Sequence, residues 1–331
     1  LMAVVARKAE ADLASALDRL TAAGLLFRQG VPPHASYLFK HALVQDAAYG
    51  TLLREPRRSL HARIAETLES HFTGVVENQP ELLARHCTEA GLTEKAAHFW
   101  GNAGMRSLER SALVEAAEHL TRGLAQIAVL PGNPALRREE IKLQVALISP
   151  LIHVKGYAAP ETKAAVERAN LLIQKAEALG EPPEDPLLLF SALYGSWVAN
   201  VVAFFNGDLV CDLAQQYLAL AEKRGMPIPL MIGHRLMGTS LLYTGDFAQG
   251  RAHLDRAIAL YNPSEHRVLA THLGHDTSAA ALCFLSWTLW LLGYPHAALA
   301  NANRALKDAR ELGQAATLMF CLTGTTVTNI L

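Results

Sequence analysis

Cysteine is nearly missing from this chain. There are four in 331 residues, Cys87, Cys211, Cys283 and Cys321, and no two stand at CxxC spacing. That excludes a zinc-ribbon type of site and a disulfide framework, and it fits a reducing cytoplasm. An excess of either charge is missing too: 30 Lys and Arg face 31 Asp and Glu. Such a balance gives no electrostatic pull toward nucleic acid or an anionic membrane. No GxxxxGK[ST] stretch occurs, so the loop that cradles nucleotide phosphates is lacking, and no cofactor is expected within the chain. Paired metal-binding aspartates of a nucleotide cyclase are absent, and no Ser/His/Asp or Cys/His arrangement stands out. There is no secretory leader pattern at the start. Leu1 and the apolar 328–331 carry no capping signal, so both ends are expected to be cuts in a longer protein.

What is present is apolar bulk. Half of the chain (51%) is hydrophobic, enough to bury a core and against disorder, and a length of 331 residues suggests two or three folded units. Segments 186–207, 277–303 and 313–331 contain no Asp, Glu, Lys or Arg. By length they could cross a bilayer. Ser, Thr, Asn and Trp are scattered through them without a basic flank, so they are expected to be helices buried on both sides.

The opening 75 residues mix helix and strand. Leu13, Leu17 and Leu20 recur at helical spacing over 8–23, and Gly24 is a natural stop. Residues 25–29 and 37–39 predict two strands, turned at Gly30-Val31-Pro32-Pro33. Helix followed by hairpin is the core of a winged helix. Helices are predicted over 41–53 and 56–72, the latter with an apolar stripe of Leu60, Ile64, Leu68 and Phe72.

Beyond residue 76 every strong signal is helical. Charge-poor helices alternate with charged ones, joined by turns at Ser111, Gly156, Gly207, Gly245 and Gly293, 38 to 51 residues apart. Stacked helical hairpins give such a pattern. Trp100 and Gly104 precede Ala116; Gly238 leads to Gly245, Phe247 and Ala257; Trp287 leads to Gly293 and Ala298. Small residues there let paired helices approach, and large ones fill the groove. The pattern resembles the tetratricopeptide repeat over roughly 90–331, with units longer than that family's usual length of about 34. The stretch around Gly156 matches poorly. The expected fold class is all-α: a tetratricopeptide-like α-solenoid over 76–331, truncated at its C-terminal end, after a small winged-helix domain over 1–75.

The segment Tyr37-Leu38-Phe39-Lys40-His41-Ala42-Leu43-Val44-Gln45-Asp46-Ala47-Ala48-Tyr49, continuing through Leu52-Leu53-Arg54, Arg57-Arg58 and Leu60-His61, resembles the region after the ATPase module in bacterial STAND-type signalling proteins. Tyr261-Asn262-Pro263, Leu273-Gly274-His275-Asp276 and Trp290-Leu291-Leu292-Gly293-Tyr294-Pro295 are similar to the repeat region of proteins that fuse a class III adenylate/guanylate cyclase, a STAND ATPase and tetratricopeptide repeats. The resemblance implies a nucleotide-dependent switch upstream, holding ATP or ADP, a winged helix that closes on it, and repeats that sense a partner. Kinase fusions and LuxR-type transcription regulators share the arrangement, and a scaffold without effector is a further alternative.

Several side chains invite a functional reading. The resemblance implies that His41 could meet a nucleotide's phosphates; capping of the helix it begins is the plainer role. Arg54, Arg57, Arg58 and Arg63 form a basic cluster, expected to be a solvated face or a dock for an acidic neighbouring domain. DNA contact is disfavoured, because helix 8–23 mixes Lys8 and Arg19 with Glu10, Asp12 and Asp18. His266, His272, His275 and Asp276 cluster around a connection, where loop and cap roles are expected before metal ligation. His86, Cys87 and Glu89 are weaker, since neighbours on a helix diverge. Asp208 and Asp246 follow glycines and are expected to cap helices. The charge-poor first helices (186–205, 277–292) would line a concave face, a groove for a peptide, an apolar molecule or a domain of the same polypeptide.

Overall fold

The computed structural model describes residues 1–330 apart from 32–34, 157, 182, 184, 203–205 and 268–274. Among them are eighteen helices and one two-stranded sheet, so the protein is all-α in class. The chain divides into two compact units, 1–106 with 119–131, and 107–118 with 132–331.

The first unit opens with α1 (Met2–Ala6), α2 (Glu10–Ala22), β1 (Leu26–Gln29) and β2 (Ser36–Phe39). The strands pair antiparallel with Leu26 opposite Phe39 and Gln29 opposite Ser36. Gly24, at φ 74°, makes the left-handed turn out of α2 that a side chain would resist. Then come α3 (Ala42–Gly50), α4 (Arg54–His71), α5 (Thr73–Asn78) and α6 (Pro80–Ala90). Before Ala65, Val5 and Leu26 are the only buried residues among those described. The solid core lies further on: Ala65 and Leu68 of α4 pack with Leu83, Ala84 and Cys87 of α6 and with Ala96, Phe99, Trp100 and Ala103. This core joins elements on both sides of residue 75. The helices α7 (Thr93–Glu109) and α8 (Leu113–Ile127) follow.

The second unit is a stack of helical hairpins. Its helices are α9 (Pro134–Lys155), α10 (Pro160–Ala178), α11 (Pro186–Val202), α12 (Gly207–Arg224), α13 (Pro227–Thr244), α14 (Phe247–Leu260), the short α15 (Pro263–His266), α16 (Thr277–Leu291), α17 (Pro295–Leu312) and α18 (Ala315–Ile330). Each long helix packs on its successor, and α9 also packs on α11, α13 on α16, and α16 on α18. First helices thus form one layer and second helices the other, the arrangement by which hairpins bury apolar faces that none could hide alone. Punctuation is consistent. Proline opens α9, α10, α13 and α17, where its missing N–H costs nothing. Asn133, Asn206, Asp246 and Asp276 accept a backbone N–H at helix starts.

The structure corrects two expectations. Gly207 does not end a helix with Asp208 as the next cap: Asn206 caps α12, Gly207 is its first residue, and Asp208 lies in its first turn, where a carboxylate favours the helix dipole. His41 stands at the start of α3 but makes no side-chain capping bond. The thiols of Cys283 and Cys321, 38 positions apart in sequence, meet in one buried cluster, both free. The poorly matching stretch around Gly156 is nonetheless a turn, at φ 98°, between α9 and α10. The charge-free 277–303 is divided between α16 and α17, and among the described residues no helix is long and apolar enough to cross a membrane.

Candidate functional site

From α11 onward the two layers of the second unit differ in chemistry; α9, the first helix before them, carries Arg137, Arg138, Glu139, Glu140, Lys142 and Lys155. Helices α11, α16 and α18 contain no Asp, Glu, Lys or Arg, and α13 contains one, Arg235. The second helices α12, α14 and α17 carry the charges, paired at i,i+4 on solvent faces, as in Arg251–Asp255 and Arg304–Asp308. Twelve of the fifteen residues of α16 are buried, so much of the apolar first layer is interior rather than open groove.

Close approach between layers rests on glycine. A Cβ on Gly238 would lie 2.6 Å from Leu254 Cγ and 2.9 Å from the Gly250 carbonyl oxygen, and Gly250 in turn sits against the Gly238 oxygen. Gly104 meets Leu120 in the same way in the first unit. Ala116, Ala257 and Ala298 are buried, Phe247 packs beside Leu254, and Gly245 and Gly293 turn at φ 95° and 88°. Trp100 donates from Nε1 to Thr88 Oγ1 at 3.0 Å, and Trp287 to the Gly324 carbonyl at 2.9 Å.

In the first unit Arg54, Arg57 and Arg58 line an open cleft of about 550 Å³ with Thr88, Glu89 and Gly91. Arg57 donates to the carbonyls of Tyr49 and Leu52 and lies over the Tyr49 ring at 4.3 Å. Arg58 donates to the Ala90 carbonyl and pairs with Glu55 at 3.5 Å. Beside them is a chain of polar contacts that sequence reasoning missed. Tyr49 Oη is 2.9 Å from His61 Nε2, and His61 Nδ1 is 2.9 Å from His86 Nδ1. In the second unit His234 and His253 stand in the same relation at 3.0 Å. In each pair one imidazole must donate and the other accept, so both cannot be fully protonated at once. Burial lowers all four pKa values; the neighbouring imidazole adds to this at His86 and His234.

The His266 cluster is structural where it is described. His266 is buried and its Nδ1 accepts from the Asn262 N–H at 3.0 Å. Asp276 caps α16 through Ala279 N–H and accepts from the Tyr261 hydroxyl. His275 stacks flat on Phe320, centroids 4.7 Å apart. His272 lies outside the described residues. Cys87 is buried and its thiol is pushed up to about 11 by that burial, so it is a core residue rather than a reactive one. His41 is exposed.

The fold and these sites define a helical-repeat protein. No family model matches the chain. Over 317 residues it is 26% identical to an uncharacterized protein of Rhizobium meliloti (strain 1021), a match that covers 92% of this chain and 29% of that protein. Among solved structures it is similar to a signal transduction ATPase with numerous domains (STAND) carrying a tetratricopeptide repeat sensor, from Pyrococcus horikoshii. That likeness has a TM-score of 0.47 and 12% identity, and it covers 99% of this chain and 50% of the other. The chain thus spans under a third of the curated relative and half of the solved structure.

Proposed function

We propose that this chain is the non-catalytic regulatory and interaction region of a larger cytoplasmic signalling protein. The hairpin stack binds a protein segment, peptide or small ligand. The N-terminal unit passes the change to a STAND-type ATPase module of the same polypeptide, and that module governs a nucleotide cyclase domain. The observation that carries this reading is the hairpin stack of the second unit, in which the first helices from α11 onward are charge-poor and the second helices are charged and solvated. Repeats of this kind stack into extended surfaces suited to binding. The resemblance of 37–61 to the region after a STAND ATPase supports the rest, and the length of the Rhizobium relative leaves room there for such modules.

The first unit fits a docking role. Phe27 and its strand partner Leu38, with Leu43 and Leu53, are 55%, 56%, 81% and 76% exposed, apolar surface open to a covering partner. In this reading the ATPase module covers that surface, Arg54, Arg57 and Arg58 meet its acidic groups, and His41 faces the ATP or ADP that it holds. Nucleic acid and membrane have no part in it.

The test is made in the full-length parent. Deleting 80–331 should change cyclic-nucleotide output several-fold, by loss of activation or release from inhibition. An output indifferent to the deletion overturns the proposal.

A further inference from the structure

We propose that Arg235 is the anion receptor of the first-helix layer, and that its ligand is an organic monocarboxylate with an aromatic or apolar body. The proposal rests on the reading of this layer as the binding surface and adds the chemistry of what it binds.

Arg235 is the single Asp, Glu, Lys or Arg in the described helices α11, α13, α16 and α18. It is 2% exposed. Arginine cannot shed its proton to escape burial. Natural chains resolve a buried guanidinium with a carboxylate, and among the described residues Arg235 has none: the only hydrogen bond it donates goes to Tyr194 Oη, at a long 3.4 Å. Its Nε is buried and has no acceptor. What surrounds it is aromatic, with its guanidinium carbon 5.6 Å from the centre of the Tyr194 ring and 5.9 Å from that of Trp197. The Trp197 indole N–H is already committed to Ser240 Oγ at 2.8 Å.

His275, just ahead of α16, feels both Arg235 and His153 of α9; with burial as the larger cause, they push its pKa down to about 3. A neutral imidazole leaves one fixed positive charge. One guanidinium balances one carboxylate through paired N–H donors, whereas a dianionic phosphate would stay half uncompensated. The Tyr194 and Trp197 rings and the otherwise charge-free helices favour an aromatic or aliphatic body behind that carboxylate.

The experiment uses the 331-residue chain and benzoate as probe, with benzamide as its neutral isostere and phenyl phosphate as the dianion. Calorimetric titration and thermal melting are read together. Benzoate should bind and raise the melting temperature, and benzamide should do neither; phenyl phosphate should bind more weakly than benzoate. Arg235→Met should melt at or above the wild type in plain buffer, because a buried charge without a counter-ion is gone, and should lose the benzoate response. Arg235→Lys keeps the charge without the fork and should weaken benzoate by about 10- to 100-fold. Equal response to benzoate and benzamide, no response to benzoate, or a benzoate response that survives in Arg235→Met overturns the proposal. Should Arg235→Met fail to fold, the comparison of benzoate with benzamide on the wild type decides by itself. The titration reads a ligand and the deletion in the parent reads its output, so either reading can fail while the other stands.

Discussion

Replacing Gly238 with alanine puts one methyl into the tightest joint of the second unit. Within a helix, glycine to alanine gains about 0.5–1 kcal/mol from backbone entropy alone. At Gly238 the new Cβ would meet Leu254 Cγ at 2.6 Å, the Gly250 oxygen at 2.9 Å and the Leu254 nitrogen at 3.0 Å. Two of these three atoms are backbone, so no rotamer change relieves them. Reaching an ordinary 3.4 Å contact requires α13 and α14 to part by about 0.5 Å, a gap that forfeits about a quarter of the dispersion energy of the atoms facing it. Overpacking of this type costs about 1–3 kcal/mol. After the propensity gain, Gly238→Ala should be about 1–2 kcal/mol less stable, read from urea unfolding followed by far-UV ellipticity. The control is Gly74→Ala in α5, where a Cβ meets nothing within 4 Å and the change should be neutral or stabilising by up to about 1 kcal/mol. A stabilised Gly238→Ala would refute the argument that the glycine is there for close approach.

Ser240→Ala removes the acceptor of the buried Trp197 N–H, which should cost about 1–3 kcal/mol in the same unfolding experiment; no loss would mean that the bond contributes nothing. Asp246→Ala removes a helix cap and should cost about 1 kcal/mol. Asp276→Ala should cost more, since that carboxylate also accepts from the Tyr261 hydroxyl, and equal losses would contradict this. The depressed pKa values of His61, His86, His234 and His253 mean that the unfolded chain binds protons more readily than the folded one near pH 6.5. Their contribution is therefore complete above the ordinary histidine range and is lost as pH falls through 6.5 and below. The urea midpoint should drop between pH 7.5 and 5.5, and the double variant His61→Gln, His234→Gln should flatten that drop. A wild-type midpoint unchanged over this interval would contradict it.

Much of the helical part is legible in the sequence because its signals are local. Gly24, Gly245 and Gly293 mark left-handed turns, and the charge-free 277–291 reads as buried because nothing in it wants water. Gly207 misleads because an asparagine just before it supplies the cap, and a cap outranks a nearby glycine in fixing where a helix begins. The paired imidazoles could not be read at all: His61 and His86 are 25 positions apart, His234 and His253 are 19, and only the packing of two helices brings each pair together. Arg235 is a similar case. A lone arginine in an apolar helix looks like a solvated residue until the neighbouring helices are in place around it.

Gly238 has a counterpart one and a half turns earlier on the same helix. A Cβ on Gly233 would lie 3.1 Å from the Leu218 backbone of α12, just as one on Gly238 would press on α14. Helix α13 is thus clamped from both sides, and position 235 falls between the clamps. A tug on that guanidinium cannot be absorbed by one helix sliding; three helices must shift together, with the yielding left to the joints on either side of them.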